Sequence, residues 1–229
     1  MNYYVPPIAR LIEQFEKLPG IADMLLHNGL DQTLIIFFLT LVFGLTLGLV
    51  LALGRMTRFK IIQLPVRFYL LIMRGTPLIL QLYGFYFGLN LLLGIRIERT
   101  MAAVVAFSLN YAAYFAEIYR SGIQAIPNGQ YEAAKVLGFS KAQTFFKIIL
   151  PQVVKIILPP MGSECMTLVK DTSLAHVIGV MEIYVVAANN MSRSRGMEYL
   201  IVAGIFYLIM NMIVSKVFGI LEKRMSYYR

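Results

Sequence analysis

QYEAAKVLGFSKAQTFFKIILPQ, residues 130–152, stands between two stretches apolar enough to cross a bilayer, yet is too charged to cross one itself. A turn signal, Pro127-Asn128-Gly129, precedes it, and from Gln130 the spacing is helical. Ala133, Ala134 and Leu137 make a small-residue face, with Glu132 and Lys135 beside it. Gly138, which has no side chain to resist a left-handed turn, ends the first helix. A second stretch, Ser140–Leu150, then climbs to Pro151, where the next span begins. Small residues on an exposed helix let a partner's surface come close, and the flanking charges can pair with it. On composition alone, a partnered handle and a plain amphipathic connector both remain open.

The surrounding chain explains why such a segment stands out. Of 229 residues, 59% are hydrophobic and 14% are charged, too few charges to cover a soluble domain of this size. Apolar windows of about 20 residues mark membrane spans, and the chain reads as an all-α integral membrane protein. The net charge of +9 does not indicate nucleic acid, because the basic residues flank apolar spans instead of forming one patch. The single cysteine, Cys165, excludes an internal disulfide. The opening MNYYVPPIARLIEQFEKLPG mixes prolines with both charge signs, unlike a cleavable signal peptide.

Five spans are predicted: Leu30–Gly54, Ile62–Gly94, Thr100–Gly122, Lys147–Lys170 and Met197–Gly219. In the first, Gly44 and Gly48 are spaced for close helix contact. The second is too long for one straight crossing and contains Arg74-Gly75-Thr76-Pro77. With the N-terminus outside, thirteen of the 21 Lys and Arg fall on inner segments, seven on outer ones and Arg74 at membrane depth. That bias places the C-terminus and residues 123–147 in the cytoplasm. With no Trp, the interfacial belt falls to tyrosines such as Tyr69, Tyr199, Tyr227 and Tyr228. Residues 1–29 are read as an amphipathic lead along the outer surface, 30–222 as one membrane domain with the cytoplasmic helix at 128–147, and 223–229 as a cytoplasmic tail. Leu174–Asn190, with Glu182 in its middle, is read as a short re-entrant or outer-surface helix. A sixth span there would spoil the charge bias.

The string Glu132-Ala133-Ala134, three residues, Gly138, nine residues, Ile148, one residue, Leu150-Pro151 resembles the EAA signature of permease subunits in ATP-binding-cassette importers. Met73–Gly84 (MRGTPLILQLYG), Ala116–Ala134 (AEIYRSGIQAIPNGQYEAA) and Leu168–Ile183 (LVKDTSLAHVIGVMEI) are similar to the polar amino acid branch of that family. The resemblance covers about residues 30–220 and leaves the lead outside it. It implies the type I importer permease fold of five-span bundles working in pairs, identical or paralogous. The EAA helix, here Tyr131, Glu132, Ala133, Ala134, Lys135, Leu137 and Gly138, would dock in a groove of an ATPase subunit. ATP and Mg would be bound by that partner, an extracytoplasmic amino-acid-binding protein would deliver the substrate, and the membrane would be the bacterial inner membrane. The chain itself contains no GxxxxGK[ST] phosphate loop, so it is expected to be a transport subunit and not an enzyme, with no cofactor of its own.

Ionisable residues within spans are candidates for the substrate path. Arg74 lies about 12 residues, or roughly 18 Å, into the second span. Gly75, Thr76 and Pro77 follow it, and a half-helix restarting there would present free N–H groups to an anionic group such as an amino acid carboxylate. Pro77 could equally be a packing kink. Glu164, in Pro159-Pro160-Met161-Gly162-Ser163-Glu164, is roughly 20 Å beyond Pro151. The prolines and glycine predict a second disrupted helix, with Ser163 beside the acid. Glu164 must be neutralised by protonation, by Arg74 or by a cationic substrate. In the family that the chain resembles, an acid here suits basic amino acids, arginine, lysine or histidine, whereas amides suit glutamine. Cystine or glutamine remain alternatives. Asn110, Tyr114 and Glu117 recur at i, i+4, i+7 and predict one polar stripe facing the bundle interior. Asn110 and Tyr114 are candidates to touch substrate, and Glu117 with Arg120 to brace the coupling helix. His176 and Cys165 form no metal-ligand cluster. A secondary transporter or channel would carry more spans with internal repeats.

Overall fold

A computed structural model describes the backbone of residues 7–225 and the side chains from residue 16 onward. Tyr227, Tyr228, Arg229 and the end of the expected tail lie outside the described residues, as does the side chain of Arg10. The described residues form nine helices and no strand: α1 Pro7–Asn28, α2 Leu30–Met56, α3 Lys60–Gly75, α4 Leu78–Leu93, α5 Arg99–Gln124, α6 Asn128–Val136, α7 Lys141–Ile178, α8 Ile183–Ser194 and α9 Glu198–Arg224. Of these, α2, α5, α7 and α9 are long and apolar enough to cross a membrane. The fifth crossing is the pair α3 and α4, bent by 109° at Thr76-Pro77.

The division of labour among the spans follows their side chains. α5 carries Ala102, Ala103, Ala106, Ala112, Ala113 and Ala116, all buried, interleaved with buried Phe107, Tyr111 and Phe115. Alternating small and aromatic residues let other helices approach it on several sides, and 67% of its apolar window is buried against 11% for α9. Thus α5 is the axis of the bundle and α9 an outer wall. The expected Gly44 and Gly48 contact is with α5: a Cβ on Gly48 would stand 2.8 Å from Phe115 Cβ and 3.1 Å from the Ala112 carbonyl. Helices can close to such a distance only over small residues. Glu98 caps α5 by accepting from the N–H groups of Thr100 and Met101. Partial burial would raise its pKa, but those donations and neighbouring Arg99 outweigh it and hold the carboxyl below the usual range.

The lead is more than a surface helix. Ile21 and Leu25 of α1 pack against Ile183, Val186 and Ala187 of α8 and Val202 and Ala203 of α9. Where α1 meets α2, Gly29 is pressed to within 2.9 Å (measured from a built Cβ) of the Ile183 backbone. Thr33 accepts from Ile183 N–H there at 3.3 Å.

Three local expectations are corrected. Glu182 does not sit mid-helix. α7 closes in a tighter helical turn over Thr172–Ile178, and the chain leaves it through a left-handed Gly179. Glu182 then caps α8, accepting from Tyr184 N–H at 2.8 Å, Val185 N–H at 2.9 Å and Tyr207 Oη at 2.6 Å. An acid is affordable there because orphan N–H groups at a helix start are donors for it. Pro159-Pro160 does not disrupt α7, which stays helical from Leu150 to Asp171. Both prolines are on the exposed side, Ile157, Met161 and Cys165 keep their buried packing, and membrane helices tolerate the freed carbonyls when local groups re-satisfy them. The carbonyls left without a helical N–H are those of residues 155 and 156, one turn earlier, while Ser163 Oγ adds a second donor to the Pro159 carbonyl at 3.2 Å. Finally, α7 starts at Lys141 instead of Lys147, because Ser140 and Gln143 form a reciprocal capping box. The segment read as 128–147 is therefore a nine-residue helix, α6, plus the first turns of α7, which pass through a widened π turn at Thr144–Ile149.

Candidate functional site: a clamped break, a polar face and an external helix

The break between α3 and α4 is held by amides. Asn110 Nδ2 donates to the Met73 carbonyl at 3.0 Å and to Gln81 Oε1 at 2.9 Å. Gln81 Nε2 in turn reaches the Met73 carbonyl at 3.0 Å, the Thr76 carbonyl at 3.2 Å and Thr76 Oγ1 at 2.8 Å. Interrupting a helix at membrane depth frees carbonyls that lipid cannot satisfy, and these two side chains answer that need. Asn110 is buried and spent on this clamp, while Gly75 and Thr76 are exposed at the break.

One turn and two turns further along α5, the same stripe continues. Tyr114 lies under the Arg74 guanidinium, 5.6 Å from ring centroid to Cζ. Glu117 is a hub: Arg120 forks it, with Nε at 3.1 Å from Oε2 and a short second contact from Nη2 to Oε1. Arg55 Nε and Arg74 Nη1 stand 3.7 and 3.8 Å from its Oε2. The expected Glu117–Arg120 pair is present. Its remaining reach is to Gln124 on the same helix, so it braces the C-terminal turns of α5 and the ends of α2 and α3, not α6.

The third part is a polar face of α7. Ser163, Thr167 and Lys170 are exposed at i, i+4 and i+7, and Glu164 and Asp171 flank them half-buried. Asp171 Oδ2 accepts from Tyr111 Oη at 2.8 Å. Among the described residues no cation stands within 4.0 Å of Glu164, since Arg74 is turned to Glu117. The structure brings Arg74, Gly75, Thr76, Asn110 and Tyr114 together at the break. It places Ser163 and Glu164 on a separate helix face. A polar, charged face exposed at membrane depth is costly against hydrocarbon, so it faces protein or water.

The external helix α6 presents Tyr131, Glu132, Ala133, Lys135, Val136, Leu137 and Gly138 to solvent and buries Ala134 alone. The small-residue face is thus split: Ala134 packs inward and Ala133 with Leu137 points out. Val136 and Leu137 are 87% and 73% exposed, an apolar tip without a covering partner among the described residues. Gly138 has φ +78°. Phe139 N–H returns to the Ala134 carbonyl at 3.0 Å and Gly138 N–H to the Lys135 carbonyl at 3.1 Å. That pair of bonds is the left-handed termination for which glycine is suited, and another residue there would cost about 1–2 kcal/mol.

Sequence reasoning missed Gln81, Arg55, Tyr111 and Asp171. Gln81 sits one turn past Pro77, and Asp171 seven residues past Glu164 on the same helical face. Both spacings were available as signals. Arg55 and Tyr111 meet their partners only through the packing of α2, α3 and α7 on α5.

A five-span helical bundle with a broken span, a polar membrane face and an exposed helix with the EAA pattern defines a permease subunit of an amino-acid ATP-binding-cassette importer. Comparison with known proteins agrees, and the chain belongs to the family described as binding-protein-dependent transport system inner membrane component, which matches residues 44–227. It is 41% identical over 194 residues to the octopine transport system permease protein OccM of Rhizobium radiobacter, covering 79% of each chain. It is 39% identical over 200 residues to the arginine transport system permease protein ArtQ of Bacillus subtilis (strain 168), covering 87% of this chain and 91% of the relative. Among solved structures it is similar to a crystal structure of an amino acid ABC transporter with histidines, at 33% identity and a TM-score of 0.79, over 96% of this chain and 100% of that one.

Proposed function

We propose that this permease carries basic L-amino acids, arginine, lysine or histidine, inward across a bacterial inner membrane. The observation that carries the reading is Glu164: a carboxylate on an exposed polar face at membrane depth, with Asp171 on the same face and no ion-pairing cation within 4.0 Å among the described residues. A guanidinium or ammonium on the substrate supplies the missing charge, while Ser163 lines its approach. The substrate carboxylate meets the break, where Gly75 and Thr76 are exposed and Arg74 lies over Tyr114. Asn110 acts behind them by holding the break in shape. The arginine transport name of one relative supports this substrate class.

The polar faces of two permeases, identical or paralogous, enclose the path. α6 lies in the cytoplasm, as the excess of basic residues on its side of the membrane supports. There its apolar tip is seated in an ATPase subunit that binds ATP and Mg, and an extracytoplasmic binding protein docks on the opposite side. ATP binding and release shift the paired bundles between two states with different affinity for the substrate.

The test is uptake by the complete transporter in proteoliposomes, with arginine, lysine, histidine, glutamine and cystine compared. Glu164→Gln removes a charge-assisted bond worth about 1.5–3 kcal/mol. Uptake of the cationic substrates relative to glutamine should fall by about 10- to 150-fold. Unchanged arginine and lysine uptake would refute the pairing.

A further inference from the structure

A cavity of about 410 Å³ opens between the end of α2 and the flank of α3, lined by Arg55, Arg67, Leu70, Leu71, Arg74 and Glu117. Its charges are unbalanced. Glu117 is already forked by Arg120, so Arg55 and Arg74 stand near it at 3.7 and 3.8 Å without a hydrogen bond. The Arg55 Nε is shielded from solvent and has no hydrogen-bond partner among the described residues. Arg67 is exposed and pairs with no acid among the described residues. The cavity lining itself holds three guanidiniums, Arg55, Arg67 and Arg74, against one carboxylate, Glu117, which Arg120 also forks, so positive charge is in excess.

We propose that this pocket binds the phosphodiester head group of an anionic phospholipid, in the leaflet that the C-terminal end of α2 meets. Guanidinium forks match phosphate oxygens, and unspent N–H donors on several arginines converge here. The depth is right: α2 is a span ending at Met56, so Arg55 lies at the boundary between hydrocarbon and head groups. The wall beside the charges is apolar, with Leu70 and Leu71 in the pocket and Leu64, Phe68 and Leu71 exposed along α3 as a track for an acyl chain. The cationic end of a basic substrate is a poor occupant, because guanidiniums already outnumber carboxylates here. Basic pockets between membrane helices recognise lipid head groups by this chemistry. The inference rests on the membrane placement of α2 and not on which amino acid is carried.

The test is native mass spectrometry of the complete transporter in detergent, titrated with phosphatidylglycerol, with phosphatidylcholine of the same chains, and with glycerol phosphate. Phosphatidylglycerol should be retained over phosphatidylcholine. At about 1 kcal/mol per arginine, Arg67→Gln should weaken retention about fivefold and Arg55→Gln with Arg67→Gln about 25-fold. Arg193→Gln, at the end of α8, should leave it unchanged. Arg67 is exposed and touches no structural partner, so its substitution is informative even if the double variant folds poorly. Equal retention of the two lipids, or an unaltered Arg67→Gln, would overturn the site. Glycerol phosphate binding as tightly as phosphatidylglycerol would make it a free-anion site and overturn the lipid assignment.

Discussion

Replacing Asn110 with alanine should release the break between α3 and α4 while leaving the rest of the bundle intact. The side chain gives two hydrogen bonds, at 3.0 Å to the Met73 carbonyl and at 2.9 Å to Gln81 Oε1, and both are lost in Asn110→Ala. Each is worth about 1 kcal/mol net. The Met73 carbonyl keeps its second donor, Gln81 Nε2, so the loss is close to that of the two bonds alone, about 2 kcal/mol. Such a change shifts the balance between clamped and open break by about 30-fold. Hydrogen exchange of the transporter in nanodiscs, followed by mass spectrometry, reads this in peptides spanning residues 70–85, where the Thr76 N–H is bonded to the Ile72 carbonyl at 3.0 Å. Exchange there should accelerate by about that factor. Asn190→Ala is the control, because among the described residues the Asn190 side chain bonds only back to the Val186 carbonyl of its own helix. Unchanged exchange at the break, or an increase spread equally along α5, would refute the clamp.

Two further outcomes follow from packing and burial. Gly48→Val places a side chain 2.8 Å from Phe115 Cβ, and overpacking of this kind costs about 1–3 kcal/mol. Thermal unfolding of the purified transporter should show a lower Tm, whereas Gly204→Ala, with nothing within 4 Å of its Cβ, should not; equal behaviour of the two would contradict the close α2–α5 contact. At Glu182, burial is the largest influence and pushes the carboxyl above its usual range, against the bonds from Tyr207 and from the Tyr184 and Val185 N–H groups. A raised folded pKa means that the folded state holds the proton longer. The stability due to this group is therefore complete below its ordinary value of 4.5 and is lost as pH rises through the folded value. Thermal unfolding measured across that window should slope downward with pH in the natural protein and flatten in Glu182→Gln. Parallel slopes would show that Glu182 is not the titrating group.

The spans were legible because membrane helices announce themselves by length and apolarity, and the expected Gly44 and Gly48 contact and the break at Thr76-Pro77 were legible because Gly and Pro have few alternative uses there. What the sequence concealed depended on direction. Pro159-Pro160 looked like a break, but both rings fall on the exposed side while Ile157, Met161 and Cys165 stay packed on the other, so the helix runs through, and which side a proline takes is set by the neighbours. Glu182 looked like an acid inside an apolar run, but a left-handed Gly179 three residues earlier turns the chain so that Glu182 begins a helix instead of interrupting one. Asn110 was read from its stripe as facing the interior, and it does. Its partners, Met73 and Gln81, lie 37 and 29 residues away in the chain, and no local pattern links them. Ala133 and Ala134 shared one face on paper, yet adjacent residues on a helix point about 100° apart, and α6 sends only Ala134 inward.

The central claim is that α6 lies in the cytoplasm and is seated in an ATPase subunit. Cys165 is buried and the only cysteine, so Val136→Cys combined with Cys165→Ala gives a single reporter at the exposed tip of α6. With the complete transporter in sealed cells, a short membrane-permeant reagent with one thiol-reactive and one amine-reactive end should join residue 136 to a lysine of the ATPase subunit. A membrane-impermeant thiol reagent added outside should leave residue 136 unmodified. Labelling from outside, with no cross-link to the ATPase, would contradict the account.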